Sequence, residues 1–234
     1  MKRLLSGIIA LLLCVCTWGC NASIPQETVP EQAVQDTTAP AVLVETEAPP
    51  EQEPLDTDFV AVLDYIPDLV VELKYATEDN FTGQIIYEFQ DAYLRYGTVK
   101  KLMAVQQELR EHKLLLKLWD GFRPPAAQFR LWEICPNPKY VANPNRGFSA
   151  HSRGNTVDVT LVDENGQEIE MPTGFDDFST LADRDYSDCS FDIQLNVLLL
   201  EQTMERHGFT GYKGEWWHFT DVDTYPVEEE FVPE

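Results

Sequence analysis

Positive charge is scarce in this chain. Its 234 residues hold 17 Lys and Arg against 40 Asp and Glu, a formal net charge of −23. Phosphate binding needs clustered Lys and Arg, so nucleic acid is excluded as a partner. The same deficit excludes charge-driven docking on an anionic lipid surface. Long apolar runs are missing as well: Leu4–Val15 at the N-terminus falls short of the about 20 residues that a membrane span needs. Cysteine is sparse. Three of the five (Cys14, Cys16, Cys20) sit in the N-terminal region, which leaves Cys135 and Cys189. Two cysteines so far apart are too few for a structural zinc knuckle. Outside the cytoplasm they could close a disulfide loop of about 55 residues, worth ~4 kcal/mol in the chain-entropy model. The alternative is a pair of buried free thiols. No internal repeat is present.

What is present begins with an export signal. Lys2 and Arg3 precede the short apolar run, and Gly19-Cys20 resembles a bacterial lipoprotein box, in which the cysteine is lipidated. Ordinary cleavage and an uncleaved anchor are the other readings. All three place the remainder outside the cytoplasm, with the membrane a partner only through this N-terminal lipid or signal anchor. Residues 21–57 carry six prolines, eight carboxylates and neither a basic nor an aromatic residue. Such a segment cannot bury enough surface to fold and reads as an extended tether. The signal is thus expected over 1–20, the tether over 21–57, a folded domain over 58–225 and an acidic tail over 226–234.

Within the domain, FVAVLDYI and Leu69–Ala76 read as strand material, and TEDNFTG as turn chemistry. Thr98 is placed to cap a helix reaching about His112, with Leu102, Val105 and Leu109 on one face. Leu114–Trp119 suits a buried strand, and Pro124 or Pro125 can open a helix over Ala126–Ile134. Thr156–Val162 reads as a strand. Phe191–His207 is an amphipathic helix ended by Gly208, and Trp216–Thr220 is strand-like. Helices and strands interleave without a βαβ rhythm. That predicts one α+β domain, a mostly antiparallel central sheet flanked by helices.

Two segments carry chemistry. GFSAHSRGNTVDVTL places His151 and Asp158 seven residues apart, and GEWWHF supplies Glu215 and His218. Two imidazoles, one ligand carboxylate and one spare carboxylate are the equipment of a zinc hydrolase. Catalytic zinc takes three protein ligands and leaves a position for water. It lowers that water's pKa towards ~7, and a separate carboxylate must still move the proton. Glu215 is the carboxylate close in sequence to a ligand. Gly154 permits the sharp turn by which His151 and Asp158 could converge. Arg123, in DGFRPP at the end of a buried strand, could stabilise an oxyanion.

These residues resemble a known family. SAHSRGNTVD is similar to the Ser-x-His-x-x-Gly-x-Ala-x-Asp pattern of D-alanyl-D-alanine dipeptidases, the VanX-like zinc peptidases. EWWH resembles their Glu-x-Trp-His box, DGFRP their arginine turn and LKYATEDNFTG an N-terminal stretch, all in order from about residue 58 to 222. Thr156 stands where the pattern has alanine. The resemblance implies one zinc ion held by His151, Asp158 and His218 in a cleft of the sheet. It implies Glu215 as general base and acid and Arg123 as transition-state stabiliser. Ser149 would help hold substrate. MPTGFDDF is similar to a Met-Gly-x-x-Phe-Asp segment, which aligns Asp176 with a carboxylate meeting the substrate ammonium. Tyr75 aligns with a tyrosine near the same ammonium. The implied activity is hydrolysis of D-Ala-D-Ala or a close D-dipeptide. The rivals are a D,D-carboxypeptidase trimming peptidoglycan stems and a non-catalytic zinc-bearing surface module.

Singly, each residue has a plainer reading. His151 or His218 could be core histidines, Asp158 and Glu215 solvated carboxylates, Ser149 a turn residue and Tyr75 a core aromatic. Arg123 could simply pair with Asp120 or with a helix carboxylate. Trp216 and Trp217 read as core or pocket wall, and His112 and His207 as helix-end imidazoles.

Overall fold

Runs of leucine and valine that water would solvate poorly set the centre of the protein, a sheet with helices against it. The computed structural model describes residues 52–233. The expected export signal, Cys20 and most of the expected tether lie outside the described residues. Among the described residues seven strands follow in chain order: β1 (Phe59–Ala61), β2 (Val70–Val71), β3 (Tyr93–Arg95), β4 (Leu114–Asp120), β5 (Thr156–Asp163), β6 (Phe209–Tyr212) and β7 (Glu215–Asp221). The helices are α1 (Val62–Tyr65), α2 (Tyr96–Glu111), α3 (Pro125–Ile134) and α4 (Phe191–Arg206). The main sheet runs β2-β4-β5-β7-β6, and β1 pairs with β3 in a separate ribbon. Only β2 on β4 is parallel; β4–β5, β5–β7 and β6–β7 are antiparallel. Among the described residues no helix is long and apolar enough to cross a membrane.

The apolar stripe expected on α2 is real: Leu102, Val105 and Leu109 are fully buried, as are Val197, Leu200 and Met204 of α4. Each such side chain contributes about 1.5–3 kcal/mol by leaving water. Beneath the helices, Leu116 and Leu118 of β4, Val157, Val159 and Leu161 of β5 and Phe219 of β7 form the core. Ser190 caps α4, accepting from the Ile193 amide at 3.3 Å, and Gly208 ends it at φ +87°. Pro125 opens α3 at its first turn.

Four local expectations change. FVAVLDYI is strand only over Phe59–Ala61, after which the chain winds into α1 with the Ile66 amide donating to the Val62 carbonyl at 2.9 Å. Thr98 does not cap α2; the helix starts two residues earlier, and the Thr98 hydroxyl donates to Asp221 at 2.8 Å. Leu69–Ala76 is strand only at β2. Beyond it the chain turns into a 3₁₀ segment, Lys74–Ala76, because the Tyr75 carbonyl accepts from the amides of Ile86 and Tyr87. The Asn80 side chain holds that return by donating to the carbonyls of Lys74, Thr77 and Gln84. Finally, Cys135 and Cys189 are free and half-buried, so the disulfide is not formed.

The acidic C-terminal segment is docked. The Glu228 amide donates to the Ser152 carbonyl at 2.8 Å, and the Phe231 ring stacks on Phe59 with centroids 4.4 Å apart. Buried Arg95 ties the segment down, bonding Glu228 and the carbonyls of Thr57, Arg153 and Pro226.

Candidate active site

His151 reaches the sheet through the turn that Gly154 permits. The 3₁₀ turn Ala150–Arg153 ends at Gly154, which adopts φ +74°. A β-carbon there would stand 2.5 Å from the Phe59 ring, so glycine is required by space as well as by conformation. Asp158 lies on β5 and His218 on β7, and the two are direct cross-strand partners. Antiparallel partners have β-carbons only ~4.5–5.5 Å apart, so this register alone brings carboxylate and imidazole together.

The three side chains converge. His218 Nδ1 is 3.0 Å from Asp158 Oδ1, His151 Nε2 is 3.4 Å from Asp158 Oδ2, and His151 Nε2 is 3.3 Å from His218 Nδ1. One donor atom from each lies within 4.8 Å of the others, a group able to hold a metal ion. His151 Nδ1 donates to the Gly121 carbonyl at 2.9 Å, which fixes the ring and leaves the Nε2 lone pair facing the group. Burial opposes ionisation of Asp158, but His151 and His218 hold its pKa well below the usual carboxylate range.

Glu215 opens β7, and its Oε2 is 3.7 Å from His218 Nδ1. Burial, reinforced by the charge of Asp158, raises its pKa. A carboxylate tuned upward suits proton transfer near neutral pH. In a regular strand, residues three apart face opposite sides. Here the β6–β7 ladder slips: Gly211 pairs with Phe219, whereas Tyr212 pairs with Glu215. Residues 216–218 bulge out of the ladder, and both Glu215 and His218 line one cleft of about 290 Å³.

Arg123 lines the same cleft. Its Nε and Nη2 donate to Asp120 and its Nη1 to Gln128 Oε1, while its guanidinium sits 5.0 Å from the centre of the Tyr75 ring. Pairing with Asp120 therefore accompanies a place in the cleft; the two readings are not exclusive. Arginine offers five N–H donors, so N–H groups remain for a ligand. Asp120 is fully buried and also accepts from Tyr87 Oη at 2.7 Å.

The other end of the cleft is built on loops. Tyr75 Oη donates to Asp176 Oδ2 at 2.9 Å. Asp176 holds the left-handed φ of +56°, which aspartate tolerates better than most residues. Burial pushes its pKa up to about 8. Ser149 caps the His151 turn, its hydroxyl accepting from the His151 amide at 3.3 Å, and it too lines the cleft. Every residue proposed from the sequence as a ligand, catalytic or substrate-binding group lines one cleft: His151, Asp158, His218, Glu215, Arg123, Ser149, Tyr75 and Asp176. Trp217 is part of the wall, whereas His207 bonds Glu108 at 2.8 Å far along α4. Sequence reading offered Asp120 as a partner of Arg123 but missed the buried Gln128 and Tyr87, and it missed Arg184. Only DGFR, with Asp120 three residues before Arg123, carried a local hint.

Known proteins of one kind resemble this chain over most of its length. The model of the M15 peptidase family, described as D-Ala-D-Ala dipeptidase, matches residues 55–233. A D-alanyl-D-alanine dipeptidase of Escherichia coli (strain K12) is 38% identical over 173 residues, 73% of this chain and 89% of that protein. One from Streptomyces coelicolor is 34% identical over 187 residues, covering 70% of this chain and 91% of its own length. One from Enterococcus faecalis is 33% identical over 181 residues, covering 66% and 87% respectively.

Proposed function

The chain belongs to the D-Ala-D-Ala dipeptidase family of M15 peptidases, and from that premise we infer a zinc-dependent enzyme that hydrolyses D-Ala-D-Ala to free alanine. The observation that carries the reading is the convergence of His151, Asp158 and His218 beside an unused, pKa-raised carboxylate, Glu215. Ligand atoms ~2.0–2.1 Å from a tetrahedral zinc stand ~3.3 Å from one another. The two imidazole nitrogens, 3.3 Å apart, lie on that edge; Asp158 turns Oδ1 to His218 and Oδ2 to His151, one donor atom from each residue falls within 4.8 Å of the others, and two imidazoles with one carboxylate suit the ion. Zinc, when bound, supplies a Lewis acid for the scissile carbonyl and lowers the pKa of a water towards ~7.

The protein does the rest. Glu215 takes the proton of the attacking water and hands it to the leaving amine. Arg123 directs its free N–H groups at the oxygen that gains charge, held in aim by Asp120 and Gln128. Asp176 and Tyr75 close the far end and meet the substrate ammonium, while Ser149 helps hold the dipeptide. A free ammonium would ionise Asp176 by pairing with it. That requirement restricts the site to dipeptides and weighs against the rival, a D,D-carboxypeptidase. The rival draws support from the proposed export, since nascent wall lies outside the cell. We extend the proposal to location: Lys2, Arg3, the apolar run and Gly19-Cys20 mark an exported protein anchored through lipidated Cys20.

The full chain, loaded with zinc, should cleave D-Ala-D-Ala and leave an N-acylated tripeptide ending in D-Ala-D-Ala intact. Cleavage of the blocked peptide alone would reject the dipeptidase in favour of the carboxypeptidase. Glu215→Gln should keep its zinc and lose ~10²–10⁴-fold in kcat.

A further inference from the structure

The bulge in β7 leaves backbone without a ladder partner on its β6 side, and one side chain from elsewhere fills the gap. Residues 216–218 have no opposite number on β6. Arg184 comes from the irregular segment before α4 and inserts its guanidinium there. Nη2 donates to the carbonyls of Trp216 at 3.1 Å and His218 at 3.0 Å, and Nε donates to Tyr212 at 2.9 Å. Nη1 donates to Glu201 Oε2 on α4 at 2.8 Å, and that oxygen also accepts from Tyr186 Oη at 2.6 Å. The guanidinium carbon lies 4.5 Å from the centre of the Phe219 ring. Four N–H bonds and a ring face fix the group, and only 13% of the side chain is exposed.

Gly211 makes the insertion possible. A β-carbon at that position would stand 2.2 Å from the Arg184 guanidinium carbon. The gap, the arginine and the glycine form one device. Without it, the carbonyls of Trp216 and His218 would need water or a regular ladder with β6. A regular ladder would put Glu215 and His218 on opposite faces.

We propose that Arg184 is a positioning residue for the hydrolysis: it holds the β7 bulge open and thereby keeps Glu215 and His218 in one cleft. It touches neither substrate nor metal and acts through the backbone of residues 212–218. The proposal rests on the reading that Glu215 moves the proton. Lysine cannot replace arginine here, because an ammonium lacks the planar fork that reaches three carbonyls and Glu201 at once.

The test compares full-length, zinc-loaded Arg184→Ala, Arg184→Lys and Gly211→Ala with Arg206→Ala. Arg206 pairs with Glu108 between α2 and α4, outside the cleft, and serves as a control for the loss of a partly exposed arginine. Zinc content, Tm, kcat and KM are read for each, well below the lowest Tm. Expected are a kcat ~10–100-fold lower for the Arg184 and Gly211 variants, with KM within about twofold, the range for residues that orient an active group from behind. Millimolar methylguanidine should restore part of the kcat of Arg184→Ala and none of that of Gly211→Ala, whose gap is filled. Arg206→Ala should lose Tm and keep kcat. The proposal is overturned if Arg184→Ala is destabilised yet turns over at the wild-type kcat, or if Arg184→Lys is fully active. Glu215→Gln runs alongside. Should it stay active, the assignment of the base fails; should it be dead while Arg184→Ala is normal, only the present inference fails.

Discussion

The two ends of the cleft are made of different material. At the metal end, Asp158 and His218 are paired residues of adjacent strands, and His151 is clamped by its own ring bond to Gly121 and by the docked turn behind it. At the other end, proposed to meet the substrate ammonium, Tyr75 sits on a 3₁₀ turn and Asp176 on an irregular segment in a left-handed conformation, joined by one hydrogen bond. A site built on paired strands is held more precisely than one built on loops, so under the proposed function register would fix the reacting end while the loop pair would tune substrate choice.

That contrast can be broken from the metal end first. Asp158→Ala should lose both zinc, read by metal analysis, and all turnover, because two imidazoles alone leave the ion short of its third ligand. Retention of tight zinc would show that another group completes the site. Arg123→Lys should come next: kcat falls ~10²-fold with zinc retained, since an ammonium cannot serve Asp120, Gln128 and an oxyanion together.

The ammonium end should respond differently. Asp176→Asn is expected to raise KM for D-Ala-D-Ala by about tenfold, one lost charge-assisted contact, with a smaller change in kcat. Its pH profile carries the sign. Burial holds the free protein's Asp176 protonated below about 8. As pH rises towards that value the carboxylate forms and can pair with the ammonium. Above ~8 the substrate amine itself loses its proton. The profile of kcat/KM should therefore peak near 8, and Asp176→Asn should remove Asp176's share of the acidic limb and leave the share set by protonation of Glu215; an unaltered limb would assign it to Glu215 or another group. The smallest effect on turnover should follow deletion of 226–234, which removes the Glu228–Ser152 bond and the Phe231 stack behind the His151 turn. Zinc affinity should drop about tenfold while KM stays unchanged.

Much of the site was legible because it is written in short segments. His151, Gly154 and Asp158 fall within eight residues, Glu215 and His218 within four, and imidazole-carboxylate sets have few other uses. The α2 and α4 stripes were legible for a similar reason, since a period of 3.6 is local. Leu69–Ala76 was misread because its composition suits a strand, while the hydrogen bonds that turn it come from Ile86 and Tyr87. Thr98 was misread because a good capping residue was claimed by Asp221, more than a hundred residues away.

By itself the sequence determined which groups exist, which short segments carry them and which faces must be buried, because those depend on side-chain chemistry and local periodicity. Tertiary structure alone decided that Asp158 faces His218 across a strand pair and that β7 slips so Glu215 joins them. It alone put Arg184 into the resulting gap. Register and bulges are fixed by partners far along the chain, so no local pattern specifies them.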